Sequence, residues 1–217
     1  MGQPHEVLQK FADNGLEIAA FGTGVTANPH PPNTEEYRRD MDYAAGLGVK
    51  IVAVCGGFLP ETRRNVFEDE YELFAQNLRD ARDYAAKNDQ VLAFHPHRGC
   101  LVETIEETCR VWKYLRELDL CVDTGHLATV RCKATELVNL APKRTRHVHI
   151  KDYDSSTGKF AEPGAGNVGI DFESFLRNLK THGYDDWIVV ERDDPPMPPR
   201  ESAQQSFDFL SPLMKSL

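Results

Sequence analysis

Short apolar segments alternate along the chain with longer amphipathic segments. The apolar segments are almost continuously hydrophobic and rich in β-branched residues, which is typical of strands covered on both faces. They occupy residues 15–21, 49–55, 91–95, 120–124, 146–151 and 187–191. We therefore predict six buried strands.

The amphipathic segments between these strands predict helices. Apolar side chains recur at helical spacing from Tyr37 onward and again from Tyr71 onward, which places one hydrophobic stripe on each segment. Helix starts are predicted at Asn33 (capping box with Glu36), Thr104 (with Glu107) and Asp171. Repeated strand–helix units favour a parallel sheet with right-handed crossovers, either open and doubly wound or closed into a barrel.

The length of the repeat limits the size of the barrel. At about 36 residues per unit, eight barrel strands would need roughly 290 residues, whereas the chain has 217. The first predicted element is a helix over residues 6–14, with no strand ahead of it. We therefore predict an α/β, TIM-barrel-like repeat of six strands that lacks the N-terminal strand–helix–strand portion of a complete barrel. No linker divides the chain, so residues 1–217 are predicted to form a single domain.

The composition restricts the partners of the protein. The formal net charge is -9 and the pI is near 5.4, which argues against nucleic acid because phosphate binding depends on clustered Lys and Arg. A small polyol-like substrate fits better. The chain shows neither a secretory signal nor an apolar stretch of about 18 residues, so we predict a cytoplasmic protein with no membrane partner. Its five cysteines include no CxxC pair and are predicted to be reduced core residues.

Four polar residues stand at the ends of the last four predicted strands: His95, Asp123, His149 and Glu191. Each alone fits a structural role, such as a hydrogen-bonded histidine or a turn-forming aspartate. Because the carboxyl ends of parallel strands meet at one rim, together they favour one divalent cation site. Two imidazoles and two carboxylates suit Mn²⁺, Fe²⁺, Co²⁺ or Zn²⁺ better than Mg²⁺ or Ca²⁺, which prefer oxygen ligands alone. We predict Mn²⁺ or Co²⁺, with Zn²⁺, Fe²⁺ or Mg²⁺ as alternatives.

Further polar residues lie close to these four candidate ligands in the sequence. Alternation of side chains along a strand places His147 and Lys151 on the same face as His149, with His147 deeper and Lys151 at the rim. The candidate catalytic residues are Glu191, His97 and Lys151. His126, His147 and Asp152 are candidates for a hydrogen bond to a metal ligand or to the substrate.

Five segments, "FHPHRG", "VDTGH", "HVHIKD", "PGAGNVGIDF" and "WIVVERD", resemble motifs of the xylose isomerase-like TIM barrels, the sugar phosphate isomerase and epimerase superfamily. The resemblance covers residues 5–214, and within the superfamily the sequence looks most like the inosose (2-keto-myo-inositol) dehydratases. It implies that Asp123, His149 and Glu191 complete a metal site and that residues 151–172 form a loop over the barrel mouth. Most epimerases of the superfamily carry Glu in place of His95, which disfavours a two-carboxylate epimerase.

The resemblance implies a metal-dependent lyase that dehydrates a keto-inositol or keto-sugar through an enediolate. Glu191 or His97 is then the base, and Lys151 or His97 the acid. The alternatives are a ketose isomerase or epimerase, an endonuclease IV-like phosphoesterase, and a non-catalytic partial barrel that binds a sugar or a partner. The unpaired outer strands predict a homo-oligomer that covers them, or else a truncated and poorly active product.

Overall fold

The computed structural model describes residues 2–27, 30–57, 65–193 and 197–217. Six parallel strands form one sheet in the order β1-β2-β3-β4-β5-β8. Their bounds are β1 (Phe21–Val25), β2 (Ile51–Gly56), β3 (Val91–Phe94), β4 (Asp119–Asp123), β5 (Thr145–Ile150) and β8 (Ile188–Val190). The strands β2 and β5 are not neighbours in the sheet, yet they approach each other across its concave side. The sheet is therefore curled into a half-barrel. The predicted six-stranded, TIM-barrel-like fold is confirmed.

Helices connect the strands and cover the convex face of the sheet. They are α1 (Pro4–Asp13), α2 (Thr34–Gly46), α3 (Glu68–Lys87), α4 (Ile105–Tyr114), α5 (Thr124–Thr129), α6 (Ala134–Leu140), α7 (Phe172–Thr181) and α8 (Pro199–Lys215). The main core lies between these helices and the sheet, and Phe74 of α3 meets Phe94 of β3 there with ring centroids 5.8 Å apart. The concave face is lined lower down by small residues, Ala53, Ala93 and Cys121. This leaves room for larger polar side chains above them.

The first predicted strand was misplaced. It was predicted at residues 15–21, but β1 begins at Phe21 and continues to Val25. The pairing of Phe21 with Val52 sets Ala20 level with Ile51, the first residue of β2. Residues before Ala20 therefore have no strand partner, and Ile18 packs on the end of α2 instead.

All three predicted helix starts are confirmed, because α2, α4 and α7 begin directly after Asn33, Thr104 and Asp171. The hydroxyl of Thr104 accepts the N–H of Glu107 at 3.1 Å, and Glu107 accepts the N–H of Thr104 at 3.0 Å. Asp171 accepts the N–H of Ser174. The capping box predicted at Asn33 is wrong, because its side-chain oxygen accepts the N–H of Thr26 from the preceding loop.

The cysteines and the membrane prediction can also be compared with the structure. All five cysteines are free thiols, as predicted, and Cys100 and Cys121 are buried. No helix among the described residues combines the length and the apolar composition that crossing a membrane requires.

Candidate metal centre

The four candidate ligands stand at the carboxyl end of the half-barrel on its concave side. His95 directly follows β3, Asp123 ends β4 and His149 lies one residue before the end of β5. Asp123 is paired in register with His149, and Glu191 directly follows β8. Neighbouring side chains alternate between the two faces, so Phe94 and Val148 enter the core while His95 and His149 face the concave side.

These four side chains converge. The Nε2 atom of His95 lies 3.5 Å from Oδ2 of Asp123, and that oxygen lies 3.8 Å from Nδ1 of His149. The same Nδ1 atom lies 3.1 Å from Oε2 of Glu191. The structure thus brings together two nitrogens and two oxygens, each supplied by a different strand end.

The facing atoms fit a cation. Nε2 of His95 and Nδ1 of His149 are buried without a hydrogen bond in the described part of the chain, whereas the facing oxygens of Asp123 and Glu191 have the ammonium of Lys151 at 3.6 Å and 2.6 Å. Buried imidazole nitrogens normally find a partner, and an ion bound between them would supply it. His126 also offers a ligand atom within 4.8 Å of those of His95, Asp123 and Glu191. Imidazole and carboxylate donors are the set that Mn²⁺, Co²⁺ and Zn²⁺ accept.

Both carboxylates of the cluster are held in the ionised form. Burial raises the pKa of Asp123, but the neighbouring imidazole of His95 and the charge of Lys151 outweigh it, so the pKa lies well below its usual range. Burial likewise opposes ionisation of Glu191, and contacts with His149 and Lys151 again lower its pKa. The centre therefore presents negative charge to a cation at neutral pH.

Lys151 is completely buried rather than at the rim, where it was predicted. Its Nζ atom lies 2.6 Å from Oε2 of Glu191, 3.6 Å from Oδ2 of Asp123 and 3.3 Å from Oδ2 of Asp193. Burial lowers the pKa of Lys151, but the three carboxylates outweigh it and the pKa is raised. The prediction failed because strand alternation gives the face of a side chain and not what covers it.

His126 and His97 stack beside the cluster, with ring centroids 3.8 Å apart. The Nδ1 atom of His126 accepts the backbone N–H of Arg98, and its Nε2 atom lies 3.2 Å from Nζ of Lys151. Burial lowers the pKa of His126 to about 2, with Lys151 and His97 adding to the effect against the attraction of Asp123. Burial and the neighbouring His95 also lower the pKa of His97. Both imidazoles are therefore neutral at pH 7.

His147 lies one level below His149 on β5, as predicted, and is paired in register with Cys121. The two imidazole centroids are 5.0 Å apart. Burial and the neighbouring His149 lower the pKa of His147 to about 4. His147 thus supports the centre from beneath as a neutral group.

The segment predicted to cover the barrel mouth forms an antiparallel hairpin of β6 (Asp152–Asp154) and β7 (Lys159–Ala161). The ring of Phe160 on β7 lies 4.8 Å from the ring of His126 and 4.7 Å from Nζ of Lys151. The hairpin therefore lies over the centre and helps to bury it.

Asp152 does not face the cluster. Its Oδ2 atom accepts the N–H groups of Gly164 and Gly166, both at 3.1 Å, and its Oδ1 atom accepts the N–H of Tyr153 at 2.7 Å. A Cβ atom on Gly166 would lie 2.2 Å from Oδ1 of Asp152, so this close approach requires glycine. Asp152 thus fixes the position of the loop that follows the hairpin by accepting hydrogen bonds from its backbone.

Three residues of the site escaped the sequence analysis. Asp193 stands two residues after Glu191, and period-two spacing could have placed both on one face. Cys121 has the same relation to Asp123, and its thiol lies within 4.8 Å of ligand atoms of His95 and His149. Nothing in the sequence indicated that Phe160 would fold back over the centre.

The fold and the site together define a class: TIM-barrel-like α/β proteins with a polar centre at the carboxyl ends of their strands. Within that class, the chain belongs to the xylose isomerase-like TIM barrel family, whose profile matches residues 2–213. The resemblance seen in the sequence motifs is thereby confirmed.

Individual relatives narrow the comparison. The inosose dehydratase of Geobacillus thermodenitrificans (strain NG80-2) is 29% identical over an alignment of 223 positions, which spans 88% of this chain and 74% of the relative. A crystal structure of IOLI protein with a bound zinc atom superimposes with a TM-score of 0.79 at 19% identity, covering 99% of this chain and 82% of that one. The 3-keto-D-glucoside 4-epimerase YcjR of E. coli gives 0.74 at 19% identity, covering 98% and 84%. The names of the relatives point to an enzyme.

Proposed function

We propose that this protein is a metal-dependent dehydratase of a keto-inositol or keto-sugar. The observation that carries the proposal is the convergence of four buried ligand atoms from His95, Asp123, His149 and Glu191 at one end of the half-barrel. The similarity to an inosose dehydratase over most of the chain supports the substrate class. A small, neutral polyol also suits a protein with a formal charge of -9.

His95, Asp123, His149 and Glu191 would hold the ion. We propose Mn²⁺ or Co²⁺; Zn²⁺ is the alternative that the zinc-containing IOLI structure supports. When bound, the ion supplies a Lewis acid that polarises the substrate ketone. The imidazole of His95 makes the donor set less anionic than a carboxylate at this position would.

The remaining chemistry falls to side chains with suitable protonation states. The carboxylate of Glu191 is ionised and can remove the proton next to the ketone, which leaves an enediolate. Neutral His97, on the half-buried side of the cluster, is the second candidate base. The ammonium of Lys151, or His97 once it has taken up the α-proton as the base, then gives its proton to the β-hydroxyl, which leaves as water. The enediolate electrons form the new carbon–carbon double bond.

A ketose isomerase or epimerase is the second candidate, because YcjR superimposes on nearly the whole chain. Two-base epimerisation requires an acid–base group on each side of the substrate carbon. In the epimerases that the sequence resembles, a carboxylate stands at the position of His95 and serves as one of the two bases, and this chain has an imidazole there. A dehydratase needs only one base there, and we therefore favour it.

For the partner, we propose a second copy of this chain. Among the described residues β1 and β8 are the outer strands of the sheet, and each is paired on one side only. Beside β8 lies a groove of about 950 Å³, lined by apolar residues that include Ile188, Val190, Phe207, Leu210 and Met214, and by the charged residues Arg192, Asp193 and Lys215. Exposed strand edges beside an apolar groove are typical of interfaces.

The test is an assay of chelated protein, with and without added Mn²⁺, Co²⁺ or Zn²⁺, against keto-inositols, ketoses and hydroxypyruvate. We expect metal-dependent formation of a product lighter than its substrate by one water. The variants His95→Ala and Asp123→Asn should lose about a hundredfold or more of this activity, and His5→Ala on the exposed face of α1 should lose none.

The mass of the product separates the alternatives. A product of unchanged mass would replace the dehydratase by the isomerase or epimerase. Metal-dependent cleavage of a phosphodiester would identify the endonuclease IV-like alternative. Sugar binding with no turnover and no bound metal would leave the non-catalytic partial barrel.

A further inference from the structure

Lys151 occupies the side of the cluster where a cation would meet the carboxylates. Its ammonium contacts Glu191 at 2.6 Å and Asp123 at 3.6 Å through Oε2 and Oδ2, the same oxygens that face His95 and His149. A divalent ion ligated by those two oxygens would remove the attraction that they now exert on Lys151. The third carboxylate, Asp193, faces Lys151 at 3.3 Å, and neither group of possible metal ligands in the described part of the chain includes it.

The segment 123–126 is built around the same lysine. The hydroxyl of Thr124 donates to the carbonyl of Lys151 at 2.7 Å and accepts its N–H at 3.1 Å. A Cβ atom on Gly125 would lie 2.1 Å from Cγ of Lys151, so the stem of the lysine passes through space that only glycine leaves open. His126 then faces the ammonium with Nε2 at 3.2 Å. Three successive residues after Asp123 thus fix the position of Lys151.

We propose that the ammonium of Lys151 is the built-in counter-ion of the unloaded centre, and that a divalent cation enters by exchange with it. Lys151 then gives up Asp123 and Glu191 and keeps Asp193. This inference rests on the proposed metal-dependent function, and it identifies Lys151 as the residue that limits cation affinity. The same shift frees the ammonium from the base Glu191 and leaves it beside the substrate.

The exchange has two measurable consequences. An ammonium this close to the ion repels it, so removing the charge should tighten cation binding. In the metal-free protein the same removal leaves the buried carboxylate of Asp123 without its cationic neighbour, which destabilises the fold. Tighter binding together with a less stable metal-free state distinguishes a competing counter-ion from a residue that merely supports the ligands.

The experiment is a calorimetric titration with Mn²⁺ of residues 1–217 after a chelator has removed bound metal. Thermal unfolding is measured before and after saturation with Mn²⁺. For Lys151→Met we expect binding about tenfold or more tighter than in the wild type, a lower Tm without metal, and a larger rise in Tm on saturation. Lys50→Met, in the exposed pair with Asp89, is the matched control and should match the wild type.

Gly125→Ala is a second variant that keeps every charge but forces the lysine stem to move. It should also bind Mn²⁺ more tightly, whereas Gly22→Ala, where a Cβ would meet nothing within 4 Å, should not. Wild-type protein that binds Mn²⁺ while neither Lys151→Met nor Gly125→Ala binds it more tightly would overturn the exchange and leave the proposed function standing. Absence of Mn²⁺, Co²⁺ and Zn²⁺ binding in the wild type and in both variants would remove both proposals.

Discussion

Burial keeps the deeper histidines of the half-barrel neutral, and each therefore links folding to pH. His147 and His126 lie among other histidines on the concave face, where a second positive charge is costly. Unfolding returns them to water, where imidazole titrates near pH 6.5. The unfolded chain therefore takes up protons first as the pH falls, and acid lowers the free energy of unfolding.

For His147 the size of this effect follows from its lowered pKa of about 4. Its contribution to stability is fully present above about pH 6.5 and is lost as the pH falls toward 4, because only the unfolded state is protonated in that window. We expect the stability difference between wild type and His147→Asn to change by about 2 kcal/mol between pH 7.5 and pH 5. Urea titrations in the presence of a chelator measure it. His5→Asn is the exposed control, and parallel pH profiles for wild type and His147→Asn would contradict the argument.

At the scale of elements, the carboxylate of Asp152 joins the hairpin over the centre to the loop that follows it. Asp152 begins β6 and accepts three backbone N–H groups, two of them from the loop that contains Gly164 and Gly166. The same loop packs on α8. A Cβ atom on Gly164 would lie 2.3 Å from the ring of Phe209, so the backbone approaches this ring closely. The lid of the site and the last helix are thus joined through this loop.

Removing the carboxylate of Asp152 should weaken the attachment of the loop to the hairpin over the centre. Asp152→Ala leaves three N–H groups without their acceptor, and we expect a loss of about 1–3 kcal/mol in stability. Asp152→Asn keeps one acceptor oxygen and should lose less. Hydrogen exchange of residues 162–167, together with Tm, measures both effects. Unchanged protection of this segment in Asp152→Ala would show that the loop is held by its other contacts.

Elements could be predicted from the sequence where periodicity extends over many residues. The strand ends at His95, Asp123 and His149 follow from long apolar runs, so their convergence could be foreseen. The helix α5 is only six residues long, too short for a periodic signal. The hairpin β6–β7 depends on the contacts of Asp152 with residues distant in sequence. The burial of Lys151 likewise depends on Phe160 and Asp193, which reach it from other elements.

For the whole molecule, the half-barrel leaves apolar surface beside its outer strand. Phe207 is 64% exposed and Met214 is 44% exposed on the face of α8 that lines the groove. Near β8 the side chain of Arg192 pairs with the buried Glu162 through Nε, while its Nη2 atom is buried without a hydrogen bond in the described part of the chain.

The oligomeric state tests this interpretation of the groove. We expect the wild-type protein to sediment as a dimer, and Phe207→Asp to shift it toward the monomer because a carboxylate would have to enter the apolar interface. Leu140→Asp, at an equally exposed leucine on α6, is the matched control and should leave the dimer intact. A wild-type monomer at all concentrations in analytical ultracentrifugation would show that no second copy covers the groove.

The missing methyl group at Gly125 ties two distant parts of the gene together. The stem of Lys151 fills the space that an alanine would claim, so mutations at these two codons cannot accumulate independently. Homologues with a bulkier residue at the position of Gly125 should have a shorter side chain at the position of Lys151. Substitutions at the two positions should therefore occur together.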